Sequence, residues 1–147
     1  MIRYRLHFLF LAVFLSCVPC YAHHLAVVVN NSNHVDAMTS AELGKIFKTE
    51  TRHWSGGNDF VVILSRNSAM TQQVLQRLWK MSAAEAKEFV ATHKNSILWV
   101  DSDAQLIHLI ETTPGAVGLV DVRSITKTVS VLKVDGKLPL EDGYLPH

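Results

Sequence analysis

Residues 60–79, FVVILSRNSAMTQQVLQRLW, contain the pattern of a buried strand, a polar turn and an amphipathic helix. The uninterrupted apolar run at 61–64 indicates the strand, and apolar residues spaced three or four apart from Met70 to Trp79 indicate the helix. The first N–H groups of a helix have no partner within the helix, and they lie at the positive end of its dipole. We therefore expect this junction to suit a small anion.

Three side chains in this stretch are candidates for binding such an anion: Arg66, Ser68 and Thr71. Arginine offers a planar fork of donors to an oxyanion, and hydroxyl groups donate hydrogen bonds without adding charge. The simpler interpretation is that Asn67 or Ser68 only caps the helix and that Arg66 is a solvated surface charge. On these residues alone, the simpler interpretation is preferred.

The first 22 residues, MIRYRLHFLFLAVFLSCVPCYA, are typical of a secretory signal peptide, because two arginines precede an apolar core that is too short to span a membrane. The small-x-Ala pattern predicts cleavage after Ala22. A lipoprotein acylated at Cys17 or Cys20 is the alternative. We expect residues 23–147 to form the mature domain and to be located in the periplasm.

The composition of residues 23–147 excludes several kinds of protein. Both cysteines leave with the signal peptide, so the mature domain contains no disulfide. No basic cluster interleaved with aromatic residues is present, which excludes a nucleic-acid partner. The hydrolase, metalloprotease and P-loop motifs are missing, and the histidines are scattered. We expect no enzymatic activity, no cofactor and no metal site.

Strand and helix patterns alternate through the rest of the chain. Apolar or alternating runs predict strands at 25–29, 97–100, 116–120 and 128–134. Capping boxes predict helices that begin after Thr39 and Ser82, and a further helix is predicted at 103–111. This order predicts one α/β domain with a mostly parallel sheet covered by helices on both faces.

Four segments in this order resemble the phosphate-binding periplasmic proteins of the PstS type. They are VDAMTSAELGKIF at 35–47, WSGG at 54–57, the stretch 61–71 and TPGAVGLV at 113–120. The resemblance implies the type 2 periplasmic-binding-protein fold, and the chain length matches a single lobe of it. It also implies a role in delivering phosphate to an ABC importer.

The resemblance implies that Arg66, Ser68 and Thr71 match the arginine and the Ser-Gly-Thr loop that hold phosphate in this family. With the resemblance added, an anion site at this turn becomes the preferred interpretation.

Polar residues after two other predicted strands are further candidates. Asn30 and Ser32 follow the first strand, and Asp121 and Arg123 follow the strand at 116–120. The carboxyl ends of parallel strands face one crevice, so we expect these side chains to lie near Arg66.

The predicted function is the non-catalytic binding of a small oxyanion, with phosphate as the preferred candidate. This binding is linked to ABC-type uptake or to phosphate sensing. A single lobe supplies half a cleft, so we expect binding in the high micromolar to millimolar range, or a homodimer that completes the site. The alternative is an accessory module with a degenerate ligand site that contacts a membrane transporter or sensor protein.

Overall fold

The computed structural model describes residues 24–146, so the predicted signal peptide lies outside the described residues. None of the helices in this part of the chain has the length and apolar character needed to cross a membrane. In chain order the strands are β1 (Leu25–Asn30), β2 (Ala37–Met38), β3 (Val61–Ser65), β4 (Ile97–Val100), β5 (Ala116–Asp121), β6 (Val129–Val131) and β7 (Lys133–Val134). The α-helices are α1 (Ser40–Phe47), α2 (Ala69–Trp79), α3 (Ala83–Thr92) and α4 (Asp103–Thr112).

The main sheet has five strands in the order β4-β3-β5-β1-β6. Strand β3 pairs in parallel with β4 and β5, whereas β1 is antiparallel to both β5 and β6. Four strands therefore run in one direction and β1 runs against them. The prediction of a mostly parallel sheet is confirmed, but the direction of β1 was not foreseen.

Helices cover both faces of the sheet, as predicted. Helices α1, α2 and α3 pack on one face, where Leu43, Leu75 and Trp79 belong to the same apolar cluster as strand residues Val27 and Leu64. Helix α4 packs on the other face. Successive strand residues point to opposite faces, so continuous apolar runs are required when both faces are covered.

Capping boxes start α1 and α3 where the sequence predicts them. The Thr39 hydroxyl accepts the Glu42 N–H at 3.2 Å, and the Glu42 carboxylate accepts the Thr39 N–H at 2.8 Å. Ser82 and Glu85 make the same two bonds. The backbone hydrogen bond to each carboxylate lowers the pKa of Glu42 and of Glu85.

The predicted strand at 128–134 is divided in the structure. Strand β6 pairs with β1, whereas β7 pairs in parallel with β2 in a separate two-stranded sheet. Leu132, between them, donates its N–H to the Val27 carbonyl at 2.9 Å. The C-terminal tail then folds back on the core and buries Tyr144 and Leu145.

Candidate functional site

The carboxyl ends of β3, β4 and β5 meet at one edge of the sheet. Helices α2 and α4 begin at this edge because each follows its strand after a short turn. A cleft of about 400 Å³ lies here, and we call it the edge cleft. It is lined by Leu25, Ser65, Asn67, Ser68, Ala69, Met70, Asp101, Ser102, Asp103 and Asp121. Ligands of α/β proteins commonly bind at this edge of the sheet.

Ser68 is the N-cap of α2 and lines the edge cleft. Its hydroxyl oxygen accepts the N–H of Thr71 at 3.1 Å. The N–H groups of Ala69 and Met70, in the first turn, have no acceptor within the helix. A hydroxyl that accepts one bond can still donate its proton. Ser68 therefore caps the helix and keeps a donor for a ligand.

Arg66 is anchored by two contacts to the end of β4. Its Nε lies 2.9 Å from Oδ1 of Asp101, and its Nη2 donates to the Trp99 carbonyl at 3.1 Å. The Arg66 side chain is 56% exposed. These contacts leave the Nη1 donors for a ligand, but an incoming anion competes with Asp101 for the guanidinium.

The Thr71 side chain lies in the core, away from the edge cleft. The residue is fully buried, and its hydroxyl has no hydrogen-bond partner among residues 24–146. Val74 and Leu75, three and four positions on, are also buried, so Thr71 belongs to the inward face of α2. Its contribution at the cleft is the N–H that fixes Ser68.

Asn30 and Ser32 lie at the opposite edge of the sheet from Arg66. Asn30 pairs with Val129, and its amide donates to the carbonyls of Ile110 and Glu111 at 2.8 and 2.9 Å, at the end of α4. The expectation that these residues share a crevice with Arg66 is therefore wrong, because it assumed that β1 runs parallel to its neighbours.

Three aspartates stand at the edge cleft, and each has a partner. Asp101 pairs with Arg66, and Asp121 pairs with Nη2 of Arg123 at 2.7 Å. The Oδ2 of Asp103 accepts the Asp121 N–H at 3.2 Å and the Ser124 hydroxyl at 3.0 Å. The two arginines thus neutralise much of the carboxylate charge at this edge.

The pairing of Asp101 with Arg66 is not predicted from the sequence. The placement of Asp101 directly after β4 was a usable signal, because the neighbouring strand β3 ends at the turn that carries Arg66. The structure also places Asp121 and Arg123 at this edge, where the sequence predicts them.

Solved structures with a similar fold include an ABC-type phosphate transport receptor from Vibrio cholerae, with a TM-score of 0.64 and 24% identity over 80% of this chain and 48% of that chain. PstS from Borrelia burgdorferi aligns with a TM-score of 0.60 and 18% identity over 80% and 49% of the two chains. A phosphate-binding protein from Stenotrophomonas maltophilia aligns at 0.62 and 16%, over 80% and 40%. No family model and no curated protein sequence matches the chain.

These likenesses define the fold as a single lobe of the type 2 periplasmic-binding-protein class. The resemblance to PstS-type proteins that the sequence motifs indicate is confirmed at the level of the fold. The chain spans 40–49% of the length of these solved proteins, of which the Vibrio cholerae protein is named as a phosphate transport receptor and the Stenotrophomonas maltophilia protein as a phosphate-binding protein.

Proposed function

We propose that this protein is a non-catalytic binding protein for a small tetrahedral oxyanion, with phosphate as the preferred candidate. It acts in the periplasm after removal of residues 1–22. The observation that carries the proposal is that Arg66 and Ser68 both lie in the turn between β3 and α2 at the carboxyl edge of the sheet, where Ser68 caps α2 and lines the edge cleft. The fold is shared with proteins that are named for phosphate binding.

The proposed contacts come from three sources. The Arg66 guanidinium supplies charge-assisted hydrogen bonds, the Ser68 hydroxyl supplies its proton, and the amides of Ala69 and Met70 supply backbone donors at the positive end of the α2 dipole. Thr71 takes part through its bond to Ser68 and not through its buried hydroxyl.

The expected affinity is low. Two bonds from Arg66 contribute about 1.5–3 kcal/mol each, and the helix terminus contributes about 0.3–1 kcal/mol. Association costs and competition by Asp101 reduce this sum, and about −4 kcal/mol corresponds to millimolar binding. A half-cleft of this affinity suits a sensor or an accessory subunit of an ABC transporter, or a homodimer in which a second copy closes the site.

A phosphate titration followed by amide-resolved NMR tests the proposal on the purified protein, with sulfate for comparison. We expect saturable shifts at 67–71 that are half complete near a millimolar of phosphate. In Arg66→Ala, the half-saturating concentration should be at least about ten-fold higher. Arg77→Ala is the matched control, because Arg77 is exposed in the last turn of the same helix. The absence of saturable shifts at tens of millimolar phosphate would overturn the proposal.

A second candidate function is a protein-interaction module that keeps the fold and has lost the ligand. The pairing of Arg66 with Asp101 and the buried Thr71 hydroxyl favour it, because both leave fewer donors for an anion. The partner would be a membrane sensor or transporter protein. Crosslinking such a partner in envelope membranes, with no phosphate-dependent shifts at 67–71, would favour this second function.

A further inference from the structure

A second concave surface lies between α2 and α3, beside β4. We call it the α2–α3 groove, and its volume is about 840 Å³. Leu75 and Trp79 of α2, Ala86 and Val90 of α3, and Trp99 of β4 contribute its apolar surface. Pockets of about 300–1,000 Å³ with mostly apolar walls are typical of small-molecule sites.

Helix α3 leaves part of this surface uncovered, at the half-buried residues Val90 and Trp99, whereas Leu75 and Trp79 are buried. Ala86 is the one buried residue of α3, while Ala83 and Ala91, which also line the groove, are exposed. Small side chains at these positions keep the groove open, because a larger residue at either one would project into it. The helix therefore presents an apolar wall that the rest of the described chain does not cover.

The charged residues that line the groove all carry positive charge. Lys87 and Lys94 of α3 and Arg66 at the end of β3 line it, and no aspartate or glutamate does. Arg66 is paired with Asp101, whereas neither of the two groove lysines has an ion-pair partner within residues 24–146. An apolar wall beside lysines complements a molecule with an apolar body and one anionic end.

We propose that the α2–α3 groove binds a small amphipathic carboxylate, with its apolar body against Trp79, Val90 and Trp99 and its carboxylate paired with Lys87 or Lys94. This site is separate from the proposed phosphate site, which lies at the N-terminus of α2. Arg66 lines the groove and is also a proposed phosphate ligand, so its side chain connects the two proposed sites.

Trp79 provides a local reporter of the groove. Its indole N–H is buried and has no acceptor in the described part of the chain, although the residue lines the groove. Its ring packs against Phe89 with the centroids 4.9 Å apart, and Phe89 stacks on His93 at 4.0 Å. The ring lies at the wall of the groove, so its indole N–H resonance reports a ligand that packs there.

Decanoate is a suitable probe, at concentrations below its micelle threshold, with neutral decanol for comparison. We expect saturable NMR shifts at residues of α2, α3 and β4 that line the groove and at the indole N–H groups of Trp79 and Trp99. Decanol should bind at least ten-fold more weakly. Shifts scattered over the surface, or equal binding of the two probes, would overturn the proposal.

Two variants separate the groove from non-specific binding and from the phosphate site. The double variant Lys87→Glu/Lys94→Glu should weaken decanoate at least ten-fold and leave the phosphate shifts at 67–71 in place. Lys45→Glu/Lys127→Glu, a matched change at exposed lysines elsewhere, should bind decanoate as the parent does. Ala91→Trp should abolish binding by filling the groove while the spectrum stays folded. Unchanged decanoate affinity in either groove variant would refute the site.

Discussion

The Nε atom of Arg66 and the Oδ1 atom of Asp101 are 2.9 Å apart, and this ion pair joins the turn after β3 to the turn after β4. Both side chains are more than half exposed, at 56% and 67%. Exposed pairs of this kind contribute about 0.2–1 kcal/mol, because solvent screens them and side-chain entropy opposes them. The pair therefore orients the guanidinium without holding it so strongly that a ligand could not displace it.

Replacing Asp101 by asparagine should raise the affinity for phosphate. The change keeps the shape of the side chain, removes a competitor for the Arg66 guanidinium and removes a negative charge beside an anion. A pair energy of about 0.2–1 kcal/mol corresponds to a rise of roughly 1.4- to 5-fold in the association constant. The half-saturating phosphate concentration, measured by NMR, reports this change in the association constant.

Asp142→Asn is the control for this change, because Asp142 is an exposed aspartate of the C-terminal tail. Its phosphate midpoint should equal that of the parent. A higher half-saturating phosphate concentration in Asp101→Asn would contradict the expectation. It would mean that Asp101 helps binding by aligning Arg66 more than it hinders binding by competing with the ligand.

Two substitutions at Ser68 should separate its capping role from its role in the cleft. Ser68→Ala removes the acceptor for the Thr71 N–H and should lower the free energy of unfolding by about 0.5–2 kcal/mol. Ser68→Asp retains a capping oxygen and should unfold near the parent midpoint, but its carboxylate repels phosphate. Denaturant unfolding and the phosphate titration measure the two effects. Phosphate binding by Ser68→Asp equal to the parent's would place the anion elsewhere.

The local elements of this fold could be predicted from the sequence because local chemistry determines them. The capping boxes at Thr39 and Ser82 place the starts of two helices, and the apolar runs of β1, β3 and β5 mark strands buried on both faces. The cap at Ser68 was also predictable, because a serine before an amphipathic stripe has that role in many helices.

The relationships between distant segments could not be predicted in the same way. An apolar run shows that β1 is buried but carries no information about its direction, so Asn30 was assigned to the wrong edge. The ion pair of Arg66 with Asp101 depends on which strand neighbours β3. The burial of Thr71 did have a local signal, because Val74 and Leu75 place it on the inward face of α2.

Gly118→Ala should destabilise the protein because β5 passes close to β3 and α4 at this residue. A Cβ atom at Gly118 would lie 2.6 Å from the Ile63 carbonyl oxygen and 3.1 Å from Cδ2 of Leu106. We expect the free energy of unfolding to fall by about 1–3 kcal/mol, the usual effect of overpacking. Gly56→Ala is the control: no atom lies within 4 Å of its added Cβ, and it should change stability by less than about 0.5 kcal/mol. Equal midpoints for the two variants in denaturant would argue against this close approach.

The Tyr144 hydroxyl joins the C-terminal tail to the core, and Tyr144→Phe should measure the strength of that connection. The hydroxyl accepts the Val27 N–H at 3.0 Å and donates to the Leu132 carbonyl at 2.7 Å, and the residue is 2% exposed. Phenylalanine would leave both backbone groups unpaired in the core. We expect the free energy of unfolding at neutral pH to fall by about 1–3 kcal/mol.

The same hydroxyl should make the protein sensitive to alkaline pH. Burial raises the pKa of Tyr144 to about 12, against a hydrogen bond from Val27 that lowers it. Because the unfolded chain ionises near pH 10, it binds fewer protons than the folded chain above that pH, and stability falls as pH rises from about 10 to 12. The two-unit difference corresponds to roughly 2–3 kcal/mol at the upper end of this range. Tyr144→Phe has no phenol to ionise at this position and does not lose this stability. The difference between the unfolding free energies of parent and variant should therefore narrow as pH rises from about 10 to 12. A gap that stayed constant from pH 9 to about pH 12 would show that the phenol ionises equally in both states.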